Sequence, residues 1–386
     1  MELAKEGWGK RWRIRLRGEL LVVNTSSRYV AIYEELVKLG WNTRVYEPSE
    51  SYLIYAYTIV RSFRPTLRHW KKNRIRVANR LSRTSWMFHH RTRRAARQIR
   101  QSAPQPDIVL QIGAWLDPYR PANVPYTVFC DCTVKLGELD KSSGVDFRSP
   151  ITANRWYAAE RAVYQNAAFV FPSSEFVKTS LVKDYGIEPD RVVPVGSAPN
   201  LKATELIERD YQARSIVFVG YEFERKGGLI LLDAFRRVLK VFPDAQLWIV
   251  GPRRLDCVLP QGTQLLGPLK AAELSSVYRR ASIFVMPSLF EPFGIAPLEA
   301  MDHRLPCIGS DRCAIPEIIT HGETGFVSPA GDPERLAYYI LYLFSRPDLM
   351  QQMGAAGHAK VQRQFTWPAV ARKIDEKLLK AISLDT

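Results

Sequence analysis

A strand-loop-helix-strand pattern occurs twice in this chain, once near its start and once near its middle. Residues 19–23 form an apolar, strand-like run, and a polar loop leads into a helical pattern that Gly40 ends before a second strand at 43–46. Residues 215–219 begin the same series, which passes through a glycine-containing loop and an amphipathic helix to the buried-type strand 246–250. Such units build doubly wound parallel sheets, so the pattern predicts an α/β fold.

The length of 386 residues exceeds what one hydrophobic core usually organises, so we expect two domains. A polar stretch at 201–212 interrupts the alternation of strand-like and helical patterns and is the predicted linker. The first domain then comprises residues 1–201 and the second residues 202–366. Residues 367–386 are typical of one amphipathic helix, which we expect to cross back and pack on the first domain. Its apolar face consists of Trp367, Val370, Ile374 and Leu378.

The formal charge of +16 is concentrated in the first half of the chain. Residues 61–100 contain fourteen arginines and lysines and no acidic residue, with Trp70, Trp86 and Phe88 between them. Such a stretch attracts phosphate groups, nucleic acid or a lipid surface. No nucleic-acid-binding module surrounds it, so we expect no nucleic-acid partner. Three roles of this stretch stay open. It could bind an anionic membrane with these aromatic residues at the interface, it could bind an anionic acceptor, or it could be a solvated face that contacts nothing.

The location of the protein is constrained by what the sequence lacks. It contains no apolar run of the roughly 18 to 20 residues that span a bilayer, and its charged N-terminus has no apolar signal segment. We therefore expect a cytoplasmic protein, with peripheral binding to the inner face of a membrane as an open addition. The five cysteines are scattered, and Cys130 and Cys132 have no second pair at zinc-finger spacing. We expect reduced thiols and no metal site.

The densest chemical signal is Glu291-Pro-Phe-Gly-Ile-Ala-Pro-Leu-Glu299, directly after the strand-like run 283–287. It predicts a short loop that enters a helix near Gly294 or Ile295. Free backbone N–H groups at 293–296 and the positive end of the helix dipole predict a diphosphate site. The carboxylates of Glu291 and Glu299 would lie about 10 Å apart, a separation that suits one carboxylate at a sugar and the other at ribose hydroxyls. The alternative is that both glutamates only complement the dipole of the helix and bind no ligand.

Two further motifs accompany this segment. Upstream lies the loop Gly220-Tyr-Glu-Phe-Glu-Arg225-Lys226-Gly-Gly, and downstream lies Ile315-Pro-Glu317-Ile-Ile-Thr-His-Gly322-Glu-Thr-Gly325. In this order the three motifs resemble those of the retaining glycosyltransferases of family GT4, which have the GT-B fold. The resemblance runs from about residue 215 to 365. It implies two Rossmann-like domains that face a central cleft, the first binding the acceptor and the second the nucleotide-sugar donor.

The resemblance also implies roles for individual residues. Lys226, with Arg225, would neutralise the donor diphosphate as the leaving group gains charge. Glu299 would accept hydrogen bonds from the ribose hydroxyls, and Glu291 would hold sugar hydroxyls beside the anomeric carbon. Glu317 is judged from its position after Pro316 and not from the resemblance: we expect a helix-start or scaffold carboxylate, with ligand contact as the alternative. The other donor-binding positions are Gly220 and, through backbone contacts, Phe293, Gly294 and Ile295.

The chain departs from the family pattern at several positions. Tyr221 replaces an arginine that many relatives have, so Arg225 is the candidate substitute. Cys130-Asp131 replaces His-Asp at the end of a first-domain strand, which leaves Asp131 as the acceptor-side catalytic candidate and a strand-end cap as its alternative role. Residues 24–28 replace a loop with paired glycines. Because no Asp-x-Asp pair occurs, we expect cations and a helix N-terminus, and no metal, to hold the diphosphate.

The resemblance as a whole implies transfer of a hexose-type sugar from a nucleoside-diphosphate donor to an acceptor hydroxyl. Retention of anomeric configuration and independence from any cofactor are part of the expectation. The acceptor stays unidentified, and a lipid-linked or anionic molecule is compatible with the basic first half. The shared positions do not select among UDP, GDP and ADP donors. An epimerase or phosphorylase of the same architecture is the alternative, and a nucleic-acid-binding protein is a remote one.

Overall fold

The computed structural model describes most of the chain. Half of the linker predicted at 201–212, the loop 24–28 apart from Asn24, and the N-terminal segment 1–16 lie outside the described part. The residues described are 17–24, 29–48, 52–64, 67–117, 124–140, 145, 147, 149–201, 203 and 209–385.

Within the described residues, the first sheet contains five parallel strands in the order β2-β1-β3-β4-β5. These are β1 (Gly18–Asn24), β2 (Trp41–Tyr46), β3 (Ile108–Ile112), β4 (Tyr126–Cys130) and β5 (Phe169–Pro172). Alternate residues of β1 enter two different apolar clusters, so both faces of the sheet are covered. The strand order reverses between β1 and β3, which opens a crevice at the carboxyl ends of these strands.

The second sheet contains six parallel strands in the order β11-β10-β9-β6-β7-β8. These are β6 (Ser215–Val219), β7 (Gln246–Val250), β8 (Thr263–Gly267), β9 (Ile283–Met286), β10 (Cys307–Ser310) and β11 (Gly325–Ser328). The order reverses between β6 and β9, the place where doubly wound sheets bind ligands. The loops that follow these two strands carry the Gly220 and Glu291 motifs. Two parallel α/β domains are thus confirmed.

Helices connect the strands of both sheets. The first half contains α1 (Val30–Lys38), α2 (Tyr52–Ser62), α3 (Leu67–Ser82), α4 (Ser85–Gln101), α5 (Val134–Glu138), α6 (Pro150–Asn166) and α7 (Glu175–Lys183). The second half contains α8 (Gly228–Val238), α9 (Ala271–Arg280), α10 (Ile295–Asp302), α11 (Ile315–Ile318), α12 (Pro333–Phe344), α13 (Pro347–Gln364) and α14 (Trp367–Asp385). Among the described helices, none combines the length and apolar character needed to cross a membrane.

The last helix, α14, packs on the first sheet although it follows the second domain in the chain. Its buried face shares a core with α1 and with residues of β1 and β3. Asp375 of α14 accepts a hydrogen bond from Trp41 Nε1 (2.8 Å) and forms an ion pair with Arg17 (3.2 Å). The apolar face of this helix therefore stabilises the first domain. Its buried residues are Trp367, Val370, Ala371, Ile374, Leu378 and Ala381.

The basic stretch 61–100 forms the end of α2, all of α3 and most of α4. Its aromatic residues differ in exposure. Trp86 is 59% exposed, and Trp70 is half-buried with its Nε1 donating to Ser62 Oγ (3.1 Å). Phe88 is buried and packs edge-on against Trp156 at 5.7 Å. The predicted interfacial position of Phe88 is therefore wrong, because this residue lies on the core-facing side of α4.

Candidate active site

A cavity of about 790 Å³ lies between the carboxyl ends of the two sheets. Both domains line it, in agreement with the crevices that the two strand orders create. All nine site residues predicted from the sequence line this one cavity: Gly220, Arg225, Lys226, Glu291, Phe293, Gly294, Ile295 and Glu299 from the second domain, and Asp131 from the first. Residues separated by more than 160 positions in the chain are thus brought together.

Two cations of the loop after β6 converge on one carboxylate. Lys226 Nζ lies 2.8 Å from Glu291 Oε2, and Arg225 Nη1 lies 3.5 Å from the same oxygen. Arg225 also donates to the Phe290 carbonyl (2.6 Å) and pairs with Asp140 of the first domain (3.5 Å). These side chains are largely buried, so water screens their charges less than at the surface. A bound diphosphate would compete with Glu291 for both cations.

Two glycines shape this wall of the cavity. A Cβ at position 220 would lie 2.1 Å from Lys226 Cδ, so Gly220 leaves room for the lysine stem. Gly294 has φ 105°, a left-handed conformation that other residues rarely adopt, and it precedes α10 without a side-chain cap. The first backbone N–H groups of α10 therefore have no partner within the helix. Such a helix start, together with the helix dipole, favours anions, and it lines the same cavity as Lys226.

Glu299 lies in the second turn of α10 and is buried. Its Oε1 accepts from the Leu201 N–H (3.3 Å), and its Oε2 accepts from the Tyr278 hydroxyl (3.3 Å). Burial raises the pKa of Glu299 to about 7, although these two donors lower it. A carboxyl group with this pKa populates both protonation states near neutral pH, and donors from a bound ligand would favour the ionised form.

Asp131 follows β4 on the opposite wall of the cavity. Its Oδ2 accepts a hydrogen bond from the Tyr29 hydroxyl (2.9 Å), and the Tyr29 ring packs on Phe129 with 4.7 Å between ring centroids. Tyr29 also lines the cavity. The carboxylate is thus oriented by a neighbour and faces the cavity, a position that is compatible with contact to an acceptor.

Several cavity residues of the first domain were missed by the sequence reasoning: Tyr29, Arg83, Trp115, Trp156 and Glu160. Glu160 has a sequence signal, since it is an acid at helical spacing on the buried face of α6. Its carboxylate accepts from the hydroxyls of Tyr185 and Tyr164 and from the Val134 N–H. Burial raises the pKa of Glu160 to about 7, and these hydrogen bonds oppose the shift.

Glu317 does not line the cavity. Its carboxylate accepts the backbone N–H groups of Glu175 and Phe176 at the start of α7, each at 2.9 Å. The expected scaffold role is therefore a contact between the two domains. Lys360, a buried lysine, donates to the Glu317 and Ile318 carbonyls and holds the end of α11.

The five cysteines are free thiols. Over the described ranges, no three His, Cys, Asp or Glu side chains are grouped so as to hold a metal ion.

Comparison with protein families and curated proteins identifies relatives of part of this chain. Residues 213–346 match the family model described as Glycosyl transferases group 1. A phosphatidyl-myo-inositol mannosyltransferase of Mycobacterium leprae is 33% identical over 169 residues, which cover 42% of this chain and 45% of that protein. A D-inositol 3-phosphate glycosyltransferase of Corynebacterium diphtheriae is 27% identical over 255 residues, covering 58% and 59%. The chain spans roughly half the length of these relatives.

Solved structures match nearly the whole chain. Sucrose-phosphate synthase from Thermosynechococcus elongatus has a TM-score of 0.67 at 15% identity, over 96% of this chain and 100% of that one. HepE of Anabaena, solved with UDP and glucose, has a TM-score of 0.64 at 12% identity, over 94% and 99%. These likenesses confirm the GT-B fold, and the family match confirms the resemblance inferred from the three motifs.

Proposed function

We propose that the protein is a glycosyltransferase, on the premise that residues 213–346 match the family model described as Glycosyl transferases group 1. It moves a hexose-type sugar from a nucleoside-diphosphate donor to an acceptor hydroxyl. One observation carries the proposal: Lys226, Arg225 and the start of α10 meet beside Glu291 at the strand-order reversal of the second sheet.

The donor half of the cavity matches the chemistry of a departing diphosphate. When the bond to the anomeric carbon breaks, negative charge grows on the diphosphate oxygens. Lys226 and Arg225 would transfer their contacts from Glu291 to these oxygens, and the N–H groups of α10 would add hydrogen bonds. Released from the cations, Glu291 would accept sugar hydroxyls, while Glu299 would accept the ribose hydroxyls. Fixed positive groups would thus stabilise the departing diphosphate without a metal ion.

The acceptor half belongs to the first domain. Asp131, oriented by Tyr29, lies on the wall opposite the cations and is the candidate for contact with the acceptor hydroxyl. We propose transfer with retention of configuration, as the family resemblance implies. The acceptor is lipid-linked or otherwise anionic, a class supported by the basic first half and by relatives whose names specify phosphatidylinositol and inositol phosphate.

A surface of the first domain supports peripheral attachment to the inner face of a membrane. Tyr57 and Val60 of α2 and Phe63, directly after it, are between 48% and 73% exposed, and Trp86 of α4 is exposed as well. They lie in or beside the basic stretch 61–100. Exposed aromatic and aliphatic side chains beside arginines are typical of proteins that bind anionic bilayers at the interface.

The test begins with donor binding. A thermal-shift screen against UDP-, GDP- and ADP-sugars should reveal a donor, since a ligand at 100 times its Kd stabilises by about 2.7 kcal/mol. Chromatography then measures the nucleoside diphosphate released with and without polyol and lipid acceptors. Acceptor-dependent release that Lys226→Ala abolishes supports the proposal. A sugar nucleotide altered without any acceptor indicates an epimerase, and phosphate-dependent release of a sugar phosphate indicates a phosphorylase; either result contradicts transfer.

A further inference from the structure

The chain that leaves the first domain is attached to helix α10 by two backbone hydrogen bonds. The Leu201 N–H donates to Glu299 Oε1 (3.3 Å), and the Ala203 N–H donates to Asp302 Oδ2 (2.9 Å). The two acceptors are buried and lie three residues apart, so they are neighbours on one side of the helix. Asp302 is fixed in turn by Gln362 of α13, whose Nε2 donates to its Oδ1 (2.6 Å).

The two attachments differ in their position relative to the interdomain cavity. Glu299 lines the cavity, and so does Asn200, the residue before Leu201. Asp302 is only 3% exposed and lies outside the cavity wall. A ligand in the cavity can therefore reach the attachment at Glu299 and cannot reach the one at Asp302.

The Glu299 carboxylate is already well supplied with hydrogen-bond donors. Besides the Leu201 N–H, the Asn200 N–H is a donor, and the Tyr278 hydroxyl donates to Oε2 (3.3 Å). A carboxylate offers about four lone-pair sites. Three donors from the protein and two from a ribose diol exceed this number, so a ribose that binds Glu299 through both hydroxyls has to displace a donor that is present without ligand.

The backbone donors are the ones that a ribose can displace. Tyr278 has no exposed surface, and its ring packs on His303 with 5.2 Å between ring centroids, which fixes its hydroxyl on the core side of the carboxylate. The donors from residues 200 and 201 lie on the cavity side, from which a ligand approaches. At 3.3 Å the Leu201 bond is also beyond the range of about 2.7 to 3.2 Å that N–H···O hydrogen bonds usually span.

We propose that the ribose hydroxyls of the donor replace the backbone N–H groups of Asn200 and Leu201 on Glu299. Nucleotide binding then releases one of the two attachments between α10 and the chain that joins the domains, while Ala203 stays bound to Asp302. This rests on the proposed glycosyltransferase function and adds a direct connection between occupation of the donor site and the hinge.

Hydrogen exchange resolved to single amides tests the competition. The probes are UDP, GDP and ADP, followed by the 2′,3′-dideoxy counterpart of each one that binds, which keeps the diphosphate and lacks both hydroxyls. Both forms should slow exchange at Ile295 and Ala296, the first residues of α10, because the diphosphate binds there. Only the ribonucleotide should accelerate exchange at Leu201, by about threefold to tenfold, and neither form should change exchange at Ala203.

Two variants complete the experiment. In Glu299→Ala the Leu201 amide should exchange fast without nucleotide, and neither form of the nucleotide should change its rate. Glu376→Ala removes an exposed glutamate of α14 and should match wild type. The comparison of the two nucleotides in wild type decides the question even if Glu299→Ala does not fold.

The pattern of exchange separates the outcomes. Acceleration at Leu201 by both forms indicates an effect of the diphosphate and overturns the competition. Unchanged or slower exchange at Leu201 with the ribonucleotide overturns it as well. Slower exchange at Ile295 and Ala296 in either case leaves the donor site intact. If none of the three nucleotides slows exchange at these two amides, the result contradicts the proposed function together with this inference.

Discussion

Glu317 joins the two domains at the start of a helix. Its carboxylate accepts the N–H groups of Glu175 and Phe176, the first two residues of α7. These groups have no partner within α7, because the first turn of a helix has no preceding carbonyls. Next to them, Ser174 donates to the Pro292 carbonyl (3.1 Å), which belongs to the donor motif. Replacement of Glu317 by alanine should therefore favour opening of the cleft.

The expected change is about 1 kcal/mol. A side chain that caps a helix N-terminus contributes about 0.5 to 2 kcal/mol. Burial raises the pKa of Glu317, although the two N–H groups lower it, so dehydration of the carboxylate offsets part of the hydrogen-bond energy. The lower half of the range is therefore appropriate for this site. A change of 1 kcal/mol shifts the equilibrium between closed and open domains about fivefold.

Amide hydrogen exchange measures the loss of this contact directly, because the N–H groups of Glu175 and Phe176 are themselves the reporters. In Glu317→Ala the peptide that contains them should exchange up to about fivefold faster, and the apparent donor Kd should rise by no more than that factor. Glu317→Gln, which keeps one carbonyl oxygen, should show a smaller change. Glu376→Gln removes an exposed carboxylate of α14 and is the matched control. Unchanged exchange at these two amides, with the rest of the protein intact, would refute the reasoning.

Four further predictions follow from the cavity and the basic surface. Lys226→Ala should lower kcat about 100-fold at saturating donor, whereas Glu299→Ala should mainly raise the donor KM, by about tenfold. An unchanged kcat in Lys226→Ala would exclude Lys226 from the leaving-group role. Burial raises the pKa of Glu299 to about 7, so the stability associated with its protonated form should be lost as pH rises through 7. Between pH 5 and 8 the free energy of unfolding of wild type should fall by up to about 3 kcal/mol more than that of Glu299→Gln, and its Tm should fall more as well. Parallel curves of Tm against pH for the two proteins would contradict this. Activity should survive EDTA and the product should keep the donor's anomeric configuration by NMR; loss in EDTA that Mg²⁺ or Mn²⁺ restores, or an inverted product, would oppose these two expectations. Co-sedimentation with vesicles should increase with anionic lipid and weaken with salt, through the stretch 61–100; equal recovery in the supernatant with neutral and anionic vesicles at low salt would remove support for membrane binding.

The second-domain side of the cavity was predictable because its parts are local in sequence. Glu291, Gly294 and Glu299 lie within one strand-loop-helix unit, so the order of residue types indicates a loop, an uncapped helix start and two carboxylates. The Lys226 loop follows the neighbouring strand of a repeated unit, and parallel strands bring their carboxyl ends to one edge. The α/β class and the meeting of these two motifs therefore follow from short-range patterns.

Only the tertiary structure decided the first-domain side of the cavity and the contact between the domains. Glu317 and Glu175 are 142 residues apart, and Arg83 meets Trp115 across two elements of the first domain. Phe88 shows the limit of local reasoning, since nothing in the basic stretch indicates that this one ring packs against Trp156. Residue type and spacing determine which face of a helix is apolar. Long-range packing decides which surface covers that face and which charged side chain is buried against an aromatic ring. No short sequence pattern contains this information.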